Sequence, residues 1–186
     1  MQLTLSADSD AVRAAGAVDR SIDTVIGMLP ELWGAPELAA ALEPAEMDAL
    51  PALDAHLRLR LSELAALAPD PLVTHGDLHL GNVVEVGDDS VRIIDWTDAA
   101  MSWPGVDVRA LLPPASQPEE REAVLTAYEQ ALGPDHARAV RPGSELAVLF
   151  YALSYAKIDA FLPASTRWHF TGTTTRMVRH LLKLAA

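Results

Sequence analysis

The chain has no cysteine and only two lysines among its 186 residues. Without cysteine there is no disulfide framework, no thiolate metal site and no cysteine nucleophile, which is typical of proteins of the reducing cytosol. No apolar run approaches the roughly 18 residues needed to span a bilayer, and the first residues lack the basic segment of a signal peptide. These absences predict a soluble, cytoplasmic protein with no membrane partner.

Positive charge is also scarce. The chain carries 14 Lys and Arg against 26 Asp and Glu, for a formal net charge of −12. Nucleic-acid binding needs a basic stripe for the phosphates, so we expect no nucleic-acid partner. A negative field favours a cationic small substrate. Acidity of this kind also serves simply to keep proteins soluble, and both interpretations stay open at this point.

The composition predicts an α+β fold that is mainly α-helical. Half of the residues are hydrophobic, with many Ala and Leu, and 186 residues suit one domain with a single core. Apolar periodicity and the positions of Pro and Gly predict helices at residues 9–29, 36–42, 44–67, 117–132, 143–162 and 165–184. A short strand is expected at 72–74 and a hairpin at 83–86 and 91–94. Everything after the hairpin is expected to be helical.

The residues around this hairpin carry the chemistry. An apolar run ends in a polar loop that holds His75, Asp77 and Asn82, and a turn at 87–89 leads to a second apolar run that ends on Asp95. The hairpin brings Asn82 and Asp95 to one end. Oxygen ligands of this kind suit Mg²⁺, which proteins usually hold with one or two groups plus substrate phosphates. The spacing H-x-D-x-x-x-x-N, then a hairpin, then I-D-W, is that of a phosphoryl-transfer catalytic loop.

These motifs resemble the aminoglycoside phosphotransferase and choline kinase family, relatives of the protein kinases. Residues 75–82 keep the family's loop H-G-D-L-H-x-x-N intact, and residues 94–99 keep its I-D-W-x-x-A motif. The stretch that usually follows, G-D-P-x-x-D-L-A, survives in part at 102–109, which retains Pro104 and Asp107. The resemblance implies a kinase-like C-terminal large lobe. It also implies transfer of phosphate from ATP, or another nucleoside triphosphate, with Mg²⁺, to a hydroxyl group of a small molecule.

The resemblance also implies a role for each residue of the two loops. Asp77 would be the catalytic base, which accepts or orients the proton of the attacking hydroxyl. Asn82, through its amide oxygen, and Asp95, through its carboxylate, would be the Mg²⁺ ligands. His75 is expected to orient the loop by hydrogen bonding.

Three further residues are expected to support this site. His79 lies four residues after His75, a spacing that could bind Zn²⁺ on a helix, but the neighbouring glycines favour a loop. Asp98 follows the metal loop. Asp107 is expected to fasten the backbone after that loop rather than to touch substrate.

A kinase of this class also needs a small N-terminal β lobe with a Lys that reaches the phosphates. No Gly-rich turn, no V-A-I-K-like strand and no β-rich stretch precedes His75, and Lys157 and Lys183 are far downstream. We therefore expect one large-lobe domain over 1–186 without that β lobe, with weak binding of nucleotide. Its parts would be a helical segment at 1–70, the two loops at 71–112 and C-terminal helices at 113–186. A fragment, a mis-called start and a natural remnant would each explain such a chain.

The surface that a small lobe would cover is expected to be apolar. We expect this face near Leu3, Leu5 and the hairpin end that carries Asp95, and exposed apolar patches usually mark interfaces. The sequence therefore predicts either self-association or a longer polypeptide.

Three functions compete at this point. The first is an ATP-dependent kinase of a small hydroxylated molecule, or the catalytic lobe of one. The alternative is a catalytically inactive kinase-like remnant that binds a ligand or partner. The third, a metal-dependent hydrolase that uses His75, Asp77 and His79, would leave Asn82 and Asp95 without roles.

Overall fold

The chain divides into two units that share two long helices. The structure, a computed structural model, describes residues 2–68, 70–87, 90–112, 116–163 and 165–185, without the side chains of Leu5 and Arg167. The first unit comprises Met1–Ile22 and Leu64–Ala147, and the second comprises Asp23–Glu63 and Val148–Ala186. We call them the loop unit and the helical unit. The predicted turn at 87–89 lies mostly outside the described residues.

The described residues are mainly helical, as predicted, with few strands. The helices are α1 (Gln2–Ser6), α2 (Ser9–Ala14), α3 (Ile22–Trp33), α4 (Pro36–Ala41), α5 (Pro44–Leu67), α6 (Val106–Leu111), α7 (Pro118–Leu132), α8 (Pro134–Phe161) and α9 (Thr173–Ala185). The strands are β1 (Val18–Asp19), β2 (Leu72–Thr74), β3 (Val83–Glu85), β4 (Val91–Ile93) and β5 (Ala100–Ser102). Among these residues, no helix combines the length and apolar character needed to cross a bilayer.

The single helix predicted at 9–29 is wrong. Gly16, at φ +103°, follows the end of α2, and β1 then pairs in parallel with β5. Helix α3 begins only at Ile22 and continues past Pro30, which was expected to end it. Pro30 removes one helical hydrogen bond, but Leu29 and Leu32 beside it are fully buried, and their burial offsets that loss.

The expectation of an entirely helical chain after the hairpin is also wrong. Residues Ala100–Ser102 form β5, the central strand of a three-stranded sheet in the order β1-β5-β2. β5 runs antiparallel to β2, with Met101 opposite Val73, and its three residues are buried. A strand of three residues is too short to show an alternating pattern in the sequence. This strand carries the chain from the hairpin back beside β2.

A close approach of two backbones anchors the segment after β5 in the loop unit. Trp103 is 1 % exposed and donates its indole N–H to the carbonyl oxygen of Gly143, at 3.0 Å. A Cβ on Gly143 would overlap the carbonyl oxygen of Pro104, so only glycine fits. Gly143 lies inside α8, which begins at Pro134 and passes through Pro142, well before the predicted start at 143.

A buried cluster forms the core of the loop unit between β2 and the helices that follow it. Its members are Leu72, Val108, Leu112, Leu132 and Val140. This cluster places β2, whose end leads into residues 75–82, against α6 and α7. The supporting helices therefore fix the strand from which the site residues project.

Within the helical unit, polar contacts join the last helix, α9, to two earlier glutamates. Helix α9 begins at Thr173, later than the predicted 165, after Gly172 at φ +79°. Glu37 accepts hydrogen bonds from the N–H and the hydroxyl of Thr175. Arg179 of α9 donates to both carboxylate oxygens of Glu46.

The Glu46–Arg179 pair predicts a pH-dependent part of the stability. Hydrogen bonds from Arg179, and then from the Glu43 amide, lower the pKa of Glu46 from 4.5 to about 2. A carboxyl group whose pKa is lowered on folding stabilises the folded state at any pH above its ordinary pKa. This stabilisation is lost as the pH falls from about 4.5 to about 2. In thermal unfolding at low salt, Glu46→Gln should lose less stability than wild type across that range. The exposed Glu31→Gln should behave like wild type, and identical pH profiles for all three proteins would contradict the assignment.

Apolar side chains are exposed where the sequence predicted an apolar face. Leu3 and Ile94 are each 40 % exposed, and Leu80, two residues before Asn82, is 68 % exposed. The side chain of Leu5 lies outside the described part. Self-association through these residues stays a prediction, which light scattering on the purified chain tests directly.

Candidate functional site

The loop at residues 75–82 begins where β2 ends, and at Gly76 it touches the loop at residues 94–99. Gly76 has φ +82°, a conformation that side chains rarely adopt. A Cβ there would overlap the backbone carbonyl oxygen of Asp98. Glycine therefore lets the backbone before Asp77 pass directly against the turn that follows Asp95.

The ring of His75 ties the two loops together. His75 is 1 % exposed, and its Nδ1 accepts a hydrogen bond from the Asp77 N–H at 3.3 Å. Nε2 must then carry the hydrogen, and it donates to the carbonyl oxygen of Ile94 at 2.8 Å. The ring also packs 4.8 Å from the ring of Trp96. One imidazole thus fixes Asp77 relative to the residue before Asp95.

The carboxylate of Asp107 binds the backbone of His75 and Gly76. It is 1 % exposed, and its carboxylate accepts from the N–H groups of His75, at 2.9 Å, and Gly76, at 3.0 Å. Burial raises the pKa of Asp107, and the hydrogen bonds from these two amides oppose that rise. Asp107 therefore fastens the backbone at the start of the 75–82 loop, whereas the sequence predicted that it would fasten the backbone after residues 94–99.

Asp77 presents its carboxylate to solvent beside His79. The side chain of Asp77 is 47 % exposed, and its Oδ2 lies 3.6 Å from His79 Nε2. His79 Nδ1 accepts from the Gly81 N–H at 3.0 Å, which leaves the ring hydrogen on Nε2, facing Asp77.

Asn82 and Asp95 lie at the base of the hairpin. The amide nitrogen of Asn82 donates to the Asp77 carbonyl oxygen at 3.0 Å, so its amide oxygen is not used in that bond. Its backbone oxygen accepts from the Ile94 N–H at 3.0 Å, one residue before Asp95. Asp95 has φ 60° and is the only non-glycine residue at positive φ among the described residues. Such strain is often found at functional sites.

The carboxylates of Asp77 and Asp95 act electrostatically on the carboxyl group of Asp98. Loss of solvent around Asp98 raises its pKa most, and the charges of Asp77 and Asp95 raise it further, whereas His75 opposes them. A cation would relieve this repulsion. Within the described ranges, no three His, Cys, Asp or Glu side chains form a ready metal cluster. The donors present fit a hard cation that takes its remaining oxygens from phosphates and water.

Comparison with protein families agrees with these motifs. The model of the phosphotransferase enzyme family matches residues 7–142, more than half of the chain. The chain belongs to the phosphotransferase enzyme family. Searches among curated proteins and among solved structures found no match.

Two contacts of the site were not predicted from the sequence. Gln2 donates from its side-chain amide to Asp107 at 2.7 Å, and the hydroxyl of Tyr128 donates to Gln2. Gln2 and Asp107 are 105 positions apart, and no local pattern marks a pair at that separation. Neither a single glutamine such as Gln2 nor an amphipathic helix such as α7 indicates from its sequence which distant residue it contacts.

Gly81 offers a test of the arrangement around His79. A Cβ at Gly81 would lie 2.7 Å from Cε1 and 2.9 Å from Nδ1 of the His79 ring, so Gly81→Ala should displace that ring. Because the ring is half-exposed, we expect stability to change by less than about 1 kcal/mol. Nitrogen NMR should show His79 unprotonated at Nδ1 in the wild type and a mixture of tautomers in the variant. An unchanged Nδ1 signal would contradict the contact.

Proposed function

We propose that this chain transfers the γ-phosphoryl group of ATP, or of another nucleoside triphosphate, to a hydroxyl group of a small molecule, as an enzyme or as the catalytic lobe of one. The observation that carries the proposal is the 2.8 Å hydrogen bond from His75 to Ile94. It joins the loop of the proposed base to the strand that precedes the proposed metal ligand. Membership of the phosphotransferase family supports the same reaction class.

Asp77 is proposed as the catalytic base. Its half-exposed carboxylate has one oxygen beside His79 Nε2, which leaves the other for the acceptor hydroxyl. As the acceptor oxygen bonds to the γ-phosphorus and the bond to the leaving ADP oxygen breaks, the hydroxyl proton passes to Asp77. His75 holds the N–H of Asp77, so the carboxylate keeps its place during transfer.

Asn82 and Asp95 are proposed to hold Mg²⁺ together with the nucleotide. Asn82 is held with its amide oxygen free because its nitrogen donates to the Asp77 carbonyl oxygen. Asp95 is held in the left-handed conformation, and its Oδ1 accepts from the Thr97 hydroxyl at 2.7 Å. Bound Mg²⁺ would neutralise charge on the β- and γ-phosphates. Asp98 adds negative potential nearby.

The acceptor is proposed to be a cationic hydroxylated molecule such as an amino sugar or an amino alcohol. The net charge of −12 would raise the local concentration of a cation. The carboxylates of Asp77, Asp95 and Asp98 add to that field at the site itself. A neutral polyol of similar size should therefore be a poorer acceptor, and the difference should shrink at high salt.

Paramagnetic Mn²⁺ in place of Mg²⁺ tests the nucleotide–metal part of the proposal. With ATP present, Mn²⁺ should broaden the amide NMR signals of residues near Asn82 and Asp95 most strongly. The double variant Asn82→Ala, Asp95→Asn should lose the broadening, and the exposed Asp70→Asn should keep it. Broadening centred elsewhere, or unchanged in the double variant, would remove these two residues as ligands. Binding at this site without phosphoryl transfer would favour the non-catalytic alternative.

A further inference from the structure

The N-terminal helix α1 lies on the open edge of β2, the strand that leads into the catalytic loop. β2 pairs with β5 along one edge, and the sheet order leaves its other edge unpaired. On that edge the Val73 N–H donates to the hydroxyl of Ser6 at 2.8 Å. Ser6 in turn donates to the backbone oxygen of Gln2. Helix α1 thus supplies the hydrogen bond that a further strand would supply.

The side chain of Gln2 reaches from this helix to the buried carboxylate of Asp107. Gln2 Nε2 donates to Asp107 Oδ2 at 2.7 Å, and the same oxygen accepts from the His75 N–H at 2.9 Å. Asp107 Oδ1 accepts from the Gly76 N–H. Three donors therefore converge on one buried carboxylate, and two of them are the backbone amides directly before Asp77.

Tyr128 of α7 fixes the orientation of the Gln2 amide. Its hydroxyl donates to Gln2 Oε1, so Gln2 must point its NH₂ group at Asp107. Burial and the charge of Asp107 raise the pKa of Tyr128, which keeps the hydroxyl protonated as a donor. The hydrogen bonds run in one direction, from Tyr128 through Gln2 to Asp107.

We propose that Gln2 is a positioning residue of the catalytic loop, acting through Asp107 on the backbone of His75 and Gly76. Its removal takes away one of the two donors to Asp107 Oδ2 and leaves that buried oxygen with the His75 N–H alone. The backbone held by the carboxylate then loosens. The family match begins at residue 7, so Gln2 lies outside the matched region. Calling the loop catalytic rests on the proposed function, whereas the hydrogen-bond relay does not.

Amide hydrogen exchange of Gln2→Leu tests the relay without any assay of activity. Leucine fills a similar volume beside a cavity of about 210 Å³ that Gln2 lines, but it cannot donate or accept a hydrogen bond. The amides of His75 and Gly76 should exchange about tenfold faster than in the wild type, because a lost hydrogen bond lowers local stability by that order. Amides in the middle of α8 should not change. Gln130→Leu, at an exposed position of α7, is the matched control.

The Val73 amide shows whether α1 itself has detached, because it is bonded to Ser6. If Val73 also exchanges faster in Gln2→Leu, then Tyr128→Phe decides. That variant keeps Gln2 and removes only the donor that orients it, and it should speed exchange at His75 and Gly76 by a smaller factor with Val73 unchanged. Exchange at His75 and Gly76 no faster in Tyr128→Phe than in Gln130→Leu would overturn the proposal.

A kinetic measurement separates this proposal from the proposed function. If the wild type transfers phosphate, Gln2→Leu should lower kcat and leave KM for the acceptor unchanged, because Gln2 acts on the base and not on the substrate. A raised KM with unchanged kcat would contradict a positioning role. If the wild type transfers no phosphate, the proposed function fails while the exchange experiment still decides the relay.

Discussion

Replacing Asp77 with Asn should lower the rate of phosphoryl transfer by about 10²- to 10⁴-fold, the usual contribution of a positioned base. Asparagine keeps the shape of the side chain but cannot accept the hydroxyl proton. The fold should be little changed, because the backbone N–H of Asp77 still donates to His75 and its carboxylate is half-exposed. The rate is measured with an acceptor found by screening, and the unfolding midpoint with circular dichroism.

The control for this prediction is Asp70→Asn, an exposed carboxylate that precedes β2 in the same unit. It removes the same charge without touching the loop, and it should leave turnover close to the wild-type value. Turnover of Asp77→Asn within tenfold of wild type would remove Asp77 as the base. A large loss of stability in Asp77→Asn would instead assign the residue a structural role.

The largest effect on stability is expected from Gly76→Ala. Alanine at φ +82° is strained by about 1–2 kcal/mol. Its Cβ would also overlap the Asp98 carbonyl oxygen, and such overpacking costs about 1–3 kcal/mol. We expect a total loss of about 2–5 kcal/mol, together with loss of phosphoryl transfer as the two loops separate.

Two other glycines separate strain from overlap in this prediction. Gly16 has φ +103° with nothing within 4 Å of a built Cβ, so Gly16→Ala should show the strain alone. Gly27 lies in α3 with neither strain nor overlap, and Gly27→Ala should stabilise by about 0.5–1 kcal/mol. Chemical denaturation should show the largest loss of stability for Gly76→Ala, a smaller loss for Gly16→Ala and a gain for Gly27→Ala. Equal losses for Gly76→Ala and Gly16→Ala would mean that the loops are not in contact.

The two loops could be predicted from the sequence because their information is local. Residues 75–82 form one uninterrupted motif, and a hairpin of a few residues connects it to Asp95. The hydrogen bond between the Ile94 N–H and the Asn82 oxygen follows from that hairpin alone. The long helix α5 was also predicted from its leucine stripe. A kink or a split was expected at Pro51, but the helix continues through that residue without a split.

What the sequence could not predict depends on distant pairing. The interpretation of 9–29 as one helix failed because β1 exists only through pairing with β5, more than 80 positions later. The contact of Gln2 with Asp107 likewise joins residues that are 105 positions apart. Periodicity reports on neighbours along the chain, so it shows neither a two-residue strand nor a buried bond between separate segments.

The most direct test of the proposed reaction is phosphorus NMR of the wild-type protein with Mg·ATP and a panel of amino sugars and amino alcohols. We expect a new phosphate-ester signal with at least one acceptor, growing in step with ADP, and no such growth with Asp77→Asn. Release of inorganic phosphate at one rate with and without acceptors, or no loss of ATP with any acceptor, would contradict phosphoryl transfer to a hydroxyl group by this site.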